Sequence, residues 1–249
     1  MICALLLDPN DAPDFPDNSG QALGRPLAAY PFIAARATGL IGRYYAVTAS
    51  AAIKTVALQN SAVLIDPPKE RAEPRELLRA GFLYIQDDLR SEDPLELLLV
   101  FFSNAPLVTN ALLRSGIEAL QARPELDGAL SVSPSARRHP LFAKREQDGL
   151  LEPLAAAGGP AAARELWYPD WSVQILRPRL LRPPYSGAPP FPWLGGKVLP
   201  LKQWGGGPID YRWQIPSAEY WLLKQGYPDL NAELQPQPKP QPLHKSERR

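Results

Sequence analysis

Three polar residues stand at the edges of short apolar patterns, where side-chain chemistry is expected. Asp8 follows the run Ile2–Leu7, Asn104 follows the run that ends at Phe102, and Asp210 precedes the pattern of a terminal helix. An Asn and a Pro directly after an apolar run suit a tight turn that aims a polar side chain into a crevice. They equally suit an Asx turn that only starts the next helix. A lone Asp before a helix is either a capping or solvent-facing group or a metal ligand. The stretch 8–24 is rich in Asp, Asn and Pro and has no Lys or Arg. It lacks the glycine spacing of a dinucleotide or Walker loop, so no phosphate cradle is indicated there.

Two alternating periodicities must position these residues. Short apolar runs at Ile2–Leu7, Arg43–Thr48, Ala62–Ile65, Leu95–Phe102 and Gly128–Ser133 read as strands. Between them, Pro26–Ala37, Ser50–Gln59, Arg75–Leu89 and Thr109–Ala122 carry apolar residues at helical spacing. The near-continuous run Leu95–Phe102 suits a central strand covered on both faces. This alternation predicts a parallel sheet with helices on both sides and a ligand site at the carboxyl ends of the strands. Later, Val173–Leu176 and Lys197–Leu201 read as strands and Pro216–Gln225 as a terminal helix with Ala218, Trp221 and Leu222 inward.

Composition narrows the chemistry. Lys and Arg total 27 against 26 Asp and Glu, a net charge of +1, which argues against a nucleic-acid partner. Cys3 is the single cysteine and His139 and His244 the only histidines, so a Cys-rich zinc site and a multi-His metal site are excluded. No apolar run approaches the roughly 20 residues of a membrane helix, and no leader is recognisable, so a cytoplasmic protein is expected. The 30 prolines are the unusual feature of the 249 residues. They concentrate in the loop-rich second half and in the final stretch 235–249, which reads as a disordered or polyproline-II tail.

Several segments, in order, carry a resemblance. Gly24–Arg25–Pro26–Leu27–Ala28–Ala29–Tyr30 resembles the start of the first helix in nucleotidyltransferases that activate acidic sugars. The segments Leu98–Val108 and Ile117–Val132 resemble their central strand, helix and next strand. Arg138–His139–Pro140–Leu141 with Asp148–Gly149–Leu150–Leu151–Glu152–Pro153 resembles their hairpin. Trp213–Gln214–Ile215–Pro216, with Glu219, Trp221 and Leu222, resembles their last helix. The whole is similar to the cytidylyltransferases of the CMP-N-acetylneuraminic acid synthetase type and, more distantly, to CMP-Kdo synthetases.

The resemblance implies a Rossmann-like, three-layer α/β nucleotidyltransferase fold with a mainly parallel sheet over residues 1–228, followed by a Pro-rich disordered tail at 229–249. It implies transfer of CMP from CTP to an acidic, sialic-acid-like 2-keto sugar, with pyrophosphate released, in the making of surface polysaccharide. Asn104 and Asp210 are the expected catalytic and Mg2+-binding residues, with Asp8 beside Asn104 in cofactor binding. Arg137, Arg138, Lys144, Asp170 and Gln174 are the expected substrate-binding residues. A homodimer, or pairing with an active homologue, is the implied assembly. The sequence departs from the family pattern in its acidic first loop, in Pro208 at the first position of the late acidic pair, and in Thr48–Ala49–Ser50 and Asp66–Pro67 after the second and third strands. These departures support a second expectation, a catalytically degenerate homologue acting as a binding or regulatory subunit.

Overall fold

A computed structural model describes residues 1–9, 13–15, 19–69, 72–90, 93–134, 144–147, 150–153 and 166–233. Its strands, in chain order, begin with β1 (Ile2–Leu7), β2 (Gln21–Ala22), β3 (Arg25–Pro26), β4 (Arg43–Val47), β5 (Val63–Ile65) and β6 (Leu97–Phe102). They continue with β7 (Gly128–Pro134), β8 (Lys144–Gln147), β9 (Leu150–Pro153), β10 (Trp167–Leu176) and β11 (Val198–Lys202). The helices are α1 (Ala29–Arg36), α2 (Ala51–Gln59), α3 (Pro74–Asp88), α4 (Asn110–Ala122), α5 (Ile215–Lys224) and α6 (Leu230–Glu233).

Seven strands form the central sheet in the order β11-β7-β10-β6-β1-β4-β5. All pairings are parallel except those of β10, which runs antiparallel to both β6 and β7. β1 and β6 are buried along their whole length, as their unbroken apolar composition requires for strands covered on both faces. Successive side chains on each strand serve opposite cores. Ala4, Leu6, Leu99 and Phe101 pack with α1, α2 and α4 through Phe32, Ile53 and Ile117. Cys3, Leu5, Leu98 and Val100 pack with α3 through Leu77, Phe82 and Ile85, and with Phe191 and Trp193 of a Pro-rich segment. The result is the expected three-layer α/β architecture.

The helices start where capping chemistry places them. The Ser50 hydroxyl accepts from Ile53 N–H and the Thr109 hydroxyl from Leu112 N–H, each at 3.2 Å. At α3, the Glu76 carboxylate accepts from Glu73 N–H at 2.9 Å, closing a capping box. α3 then lies close on the sheet, since a Cβ at Gly81 would meet the Leu5 side chain at 2.6 Å.

β10 is longer than the four residues read from sequence, and its register shifts between Pro169 and Gln174. Within this bulge Trp171 adopts φ +57°. The strained backbone is held by ring contacts of Trp171 with Phe102 and Phe191, at centroid distances of 5.4 and 4.7 Å. Near the end of the described chain, Leu230 N–H donates to Leu23 O at 3.1 Å, and Asn231 N–H to the Asp229 carboxylate at 2.9 Å, at the start of α6. Residues 234–249 lie outside the described residues.

Candidate functional site

The sheet reverses its winding between β1 and β6, because β4 and β5 follow on one side of β1 and β6 lies on the other. Open α/β sheets place ligands at the carboxyl ends of strands at such a point. Asp8 stands there, 4% exposed. Its two carboxylate oxygens accept from Ser103 Oγ at 2.8 Å and Thr48 Oγ1 at 2.5 Å, so one side chain ties the ends of β1, β4 and β6. Thr48 Oγ1 in turn accepts from Ser50 N–H at 2.9 Å, linking the network to the start of α2. In the resting chain Asp8 is engaged in fixing the strand ends.

One residue further on, Asn104 reaches the other side of the crevice. Its amide nitrogen donates to Asp210 Oδ1 at 2.8 Å, and its backbone carbonyl accepts from Ile209 N–H at 2.8 Å. Gln214 secures the same segment, its amide oxygen accepting from both Asp210 N–H and Tyr211 N–H at 2.8 Å. Asp14, from the stretch after β1, docks on it. Asp14 N–H donates to Asp210 O at 3.2 Å, and Arg212 N–H donates to the Asp14 carboxylate at 3.0 Å. Phe15 buries its ring beneath the Arg212 guanidinium, 5.8 Å from the ring centre.

Beside this pair opens a cleft of about 430 Å3 between the end of β7, the start of β10 and residues 205–218. Asp170 forms part of its wall and is 5% exposed. Its carboxylate accepts from Ser131 Oγ, from Ser133 Oγ and Gln203 Nε2 at 2.8 Å, and from Ser172 N–H at 3.1 Å. Four donors satisfy a buried carboxylate in place of a cation and make it a clamp on β7, β10 and the segment after β11. The glycine run 205–207 passes directly over it. A Cβ at Gly206 would sit 2.3 Å from Asp170 Oδ2, and one at Gly205 would sit 2.7 Å from the Trp221 indole nitrogen, where φ is also +77°. The cleft rim carries Trp213, 74% exposed. No Lys or Arg is among the described residues that line the cleft.

Of the residues expected from sequence, the structure brings Asn104 and Asp210 into direct contact, with Asp8 on the neighbouring strand end and Asp170 in the adjoining wall. Gln174 lies elsewhere. It is fully buried on the sheet face covered by the Pro-rich segment, where its Oε1 accepts from Trp193 Nε1 at 2.8 Å. Lys144 lies on β8, paired with β9 in a hairpin, as the resemblance suggested. Arg137 and Arg138 lie outside the described residues. Sequence reasoning passed over Trp213 and the glycine run 205–207 as parts of the site. Their signal was a run of three glycines between exposed tryptophans, a composition that permits a close backbone approach beside an aromatic surface.

Magnesium is held by one or two carboxylates, with substrate phosphates and waters completing its shell. Asp210 supplies one carboxylate and Asn104 orients it. Among the described residues no group of three or more His, Cys, Asp or Glu side chains gathers around a point. This donor set fits an ion that arrives with a polyphosphate and does not fit an all-protein cage. Among the described residues no helix is long and apolar enough to cross a membrane.

Strand order, the antiparallel β10 within the central sheet and the crevice at the strand ends define the class as a Rossmann-like nucleotidyltransferase fold. Solved structures share this fold. The chain is similar to a CMP:2-keto-3-deoxy-manno-octonic acid synthetase complexed with CTP, with a TM-score of 0.61 and 10% identity over 91% of this chain and 100% of that one. It is similar to the 4-diphosphocytidyl-2C-methyl-D-erythritol synthase of Anaerococcus prevotii DSM 20548, with a TM-score of 0.58 and 14% identity over 89% of this chain and 98% of the other. A further 4-diphosphocytidyl-2C-methyl-D-erythritol synthase matches with a TM-score of 0.63, again at 14% identity over 89% and 98% of the two chains. No protein-family model and no curated protein matches the sequence.

Proposed function

We propose that the chain is a divergent cytidylyltransferase that transfers CMP from CTP to an acidic 2-keto sugar. The observation that carries this reading is the Asn104–Asp210 contact, placed at the switch-point edge of the sheet and opening on a cleft. Its likeness in fold to enzymes whose names include CMP-sugar and diphosphocytidyl synthesis supports the nucleotide. In the reaction a sugar hydroxyl gives up its proton to water as its oxygen bonds to the α-phosphorus, the bond from that phosphorus to the bridging oxygen breaks, and pyrophosphate leaves with the electron pair. Bound at Asp210, Mg2+ would neutralise the charge that builds on the phosphates. Asn104 fixes the Asp210 carboxylate, and Gln214 fixes the backbone that carries it. Asp8, Thr48 and Ser103 hold the strand ends on which the nucleotide is received. Arg137, Arg138 and Lys144 are proposed to meet the sugar carboxylate, and the hairpin of β8 and β9 to serve pairing with a second copy or a homologue.

A second reading, a binding or regulatory subunit without turnover, is favoured by the docking of Asp14 on the Asp210–Arg212 segment and by the cationless described lining of the cleft. Pyrophosphate release from CTP, measured with magnesium across a panel of 2-keto sugar acids, separates the two. The enzyme reading expects acceptor-dependent release and a magnesium-dependent thermal shift with CTP. Neither signal appears if the chain is the subunit.

A further inference from the structure

Trp213 is held rigidly and yet left open. It occupies a single 3-10 turn, Arg212–Gln214, whose entry is fixed by the two backbone N–H groups that donate to Gln214 Oε1. Tyr211 lies nearly parallel to it, at 15° and 6.1 Å between ring centres. The indole is 74% exposed and lines the cleft, so it adds little burial to the fold. Gly207 lines the same cleft, and a Cβ there would meet nothing within 4 Å, so the cleft is open at that point.

The location separates two ligand positions. The switch point lies between β1 and β6, at Asp8 and Ser103. The cleft lies off the ends of β7 and β10, on the far side of β6. The Asn104–Asp210 pair stands between them. A nucleotide at the switch point therefore leaves the cleft to the second reactant. Its described lining offers hydroxyls, a primary amide, two carboxylates and an aromatic face, and no Lys or Arg. That chemistry suits the hydroxyls and the apolar C–H face of a sugar ring, and does not suit a polyphosphate.

We infer that Trp213, backed by Tyr211, is the stacking platform that receives the ring of the acceptor sugar, with the backbone at Gly207 leaving room for it. Trp213 is thus a specificity-determining residue for ring-shaped acceptors. This rests on the cytidylyltransferase reading for the reaction, but the binding claim is separable from it.

The test uses the full chain with Trp213→Ala and Trp213→Phe variants, whose melting profiles first establish that each is folded. Two probes, 2-keto-3-deoxy-manno-octonic acid and N-acetylneuraminic acid, are titrated with no CTP while tryptophan fluorescence is followed. Quenching in the native chain that disappears in Trp213→Phe supports the subsite even if no turnover is seen. Where pyrophosphate is released, Trp213→Ala is expected to raise the acceptor KM about ten-fold, Trp213→Phe to recover most of it, and the KM for CTP to stay unchanged. Acceptor binding or KM that is the same in all three proteins overturns the inference, as does a rise confined to the CTP KM. Absence of pyrophosphate release in every protein, with quenching intact, overturns the reaction and leaves the subsite standing.

Discussion

Asn104 and Asp210 lie 106 positions apart in the chain and share a 2.8 Å hydrogen bond, amide nitrogen to carboxylate oxygen. The bond joins the turn after the central strand to the segment that leads into the last long helix. It holds the one cleft carboxylate that fits a metal in a fixed orientation. If the cytidylyltransferase reading holds, Asp210→Asn lowers magnesium-dependent pyrophosphate release by about 100-fold or more. Asn104→Ala leaves Asp210 in place and weakens apparent magnesium affinity by about ten-fold, seen as a displaced magnesium dependence of the rate. Equal effects of both variants on rate, with the magnesium dependence unmoved, would contradict the positioning role.

Asp170 is expected to matter for stability. Its carboxylate satisfies Ser131, Ser133, Gln203 and the Ser172 backbone, and Asp170→Ala strands these donors in a buried place. The expected loss is about 3 kcal/mol, read by urea denaturation. Gly206→Ala works against the same clamp, because its Cβ would collide with Asp170 and Gln203. A fall in stability in both variants is the expected result.

Ser172 gives the opposite sign. Its hydroxyl is buried with no hydrogen-bond partner among the described residues. Ser172→Ala removes that group at almost no change in shape and is expected to raise stability by about 1 kcal/mol. Gln174→Leu removes its own unpaired Nε2 as well, but it takes the acceptor from Trp193 Nε1 and is expected to lower stability. Denaturation midpoints moving the same way in both would show that the unpaired hydroxyl is not the cause.

Alkaline pH probes the small core under the first loop. Burial pushes the Tyr30 phenol up to about 12, with Arg25 opposing and Tyr227, Glu219 and Asp229 adding to the rise. In the unfolded chain the phenol titrates near 10. Above that pH the unfolded chain loses its proton before the folded one does, so stability present below pH 10 declines as pH climbs towards 12. Tyr45 is raised too, by burial first and then by its bond to Asp88, and adds to the same decline. Tyr30→Phe forfeits the 2.6 Å bond to Ala22 O, so it is less stable at neutral pH by about 1 kcal/mol. It is also expected to show a shallower alkaline decline in the denaturation midpoint. An unchanged slope would remove Tyr30 from the account.

Local pattern was enough for most of the architecture. The unbroken apolar runs of β1 and β6 state that both faces are covered, and the helical spacing in α3 and α4 states which face turns inward. Ser50 and Thr109 mark helix starts within one residue of where they occur. These features depend on neighbours a few positions apart, so a linear reading captures them. The direction of β10 is different. Alternation along a strand is the same in either direction, and only the tertiary pairing of β10 with β6 and β7 fixes it as antiparallel.

The site divides along the same line. From the sequence alone came the expectation of ligand chemistry at the strand ends and the choice of Asn104 and Asp210 as the polar residues to watch. The sequence also showed that the first loop carries no positive charge. Tertiary structure alone decided that Asn104 and Asp210 touch, that Asp8 is committed to Thr48 and Ser103, and that Asp170 is a clamp. It also decided that Gln174 faces away from the cleft and that Trp213 stands open beside a glycine run. Each of these is a contact between residues tens to a hundred positions apart. No periodicity encodes such a contact, since its geometry is set by how the packed layers bring distant loops to one edge of the sheet.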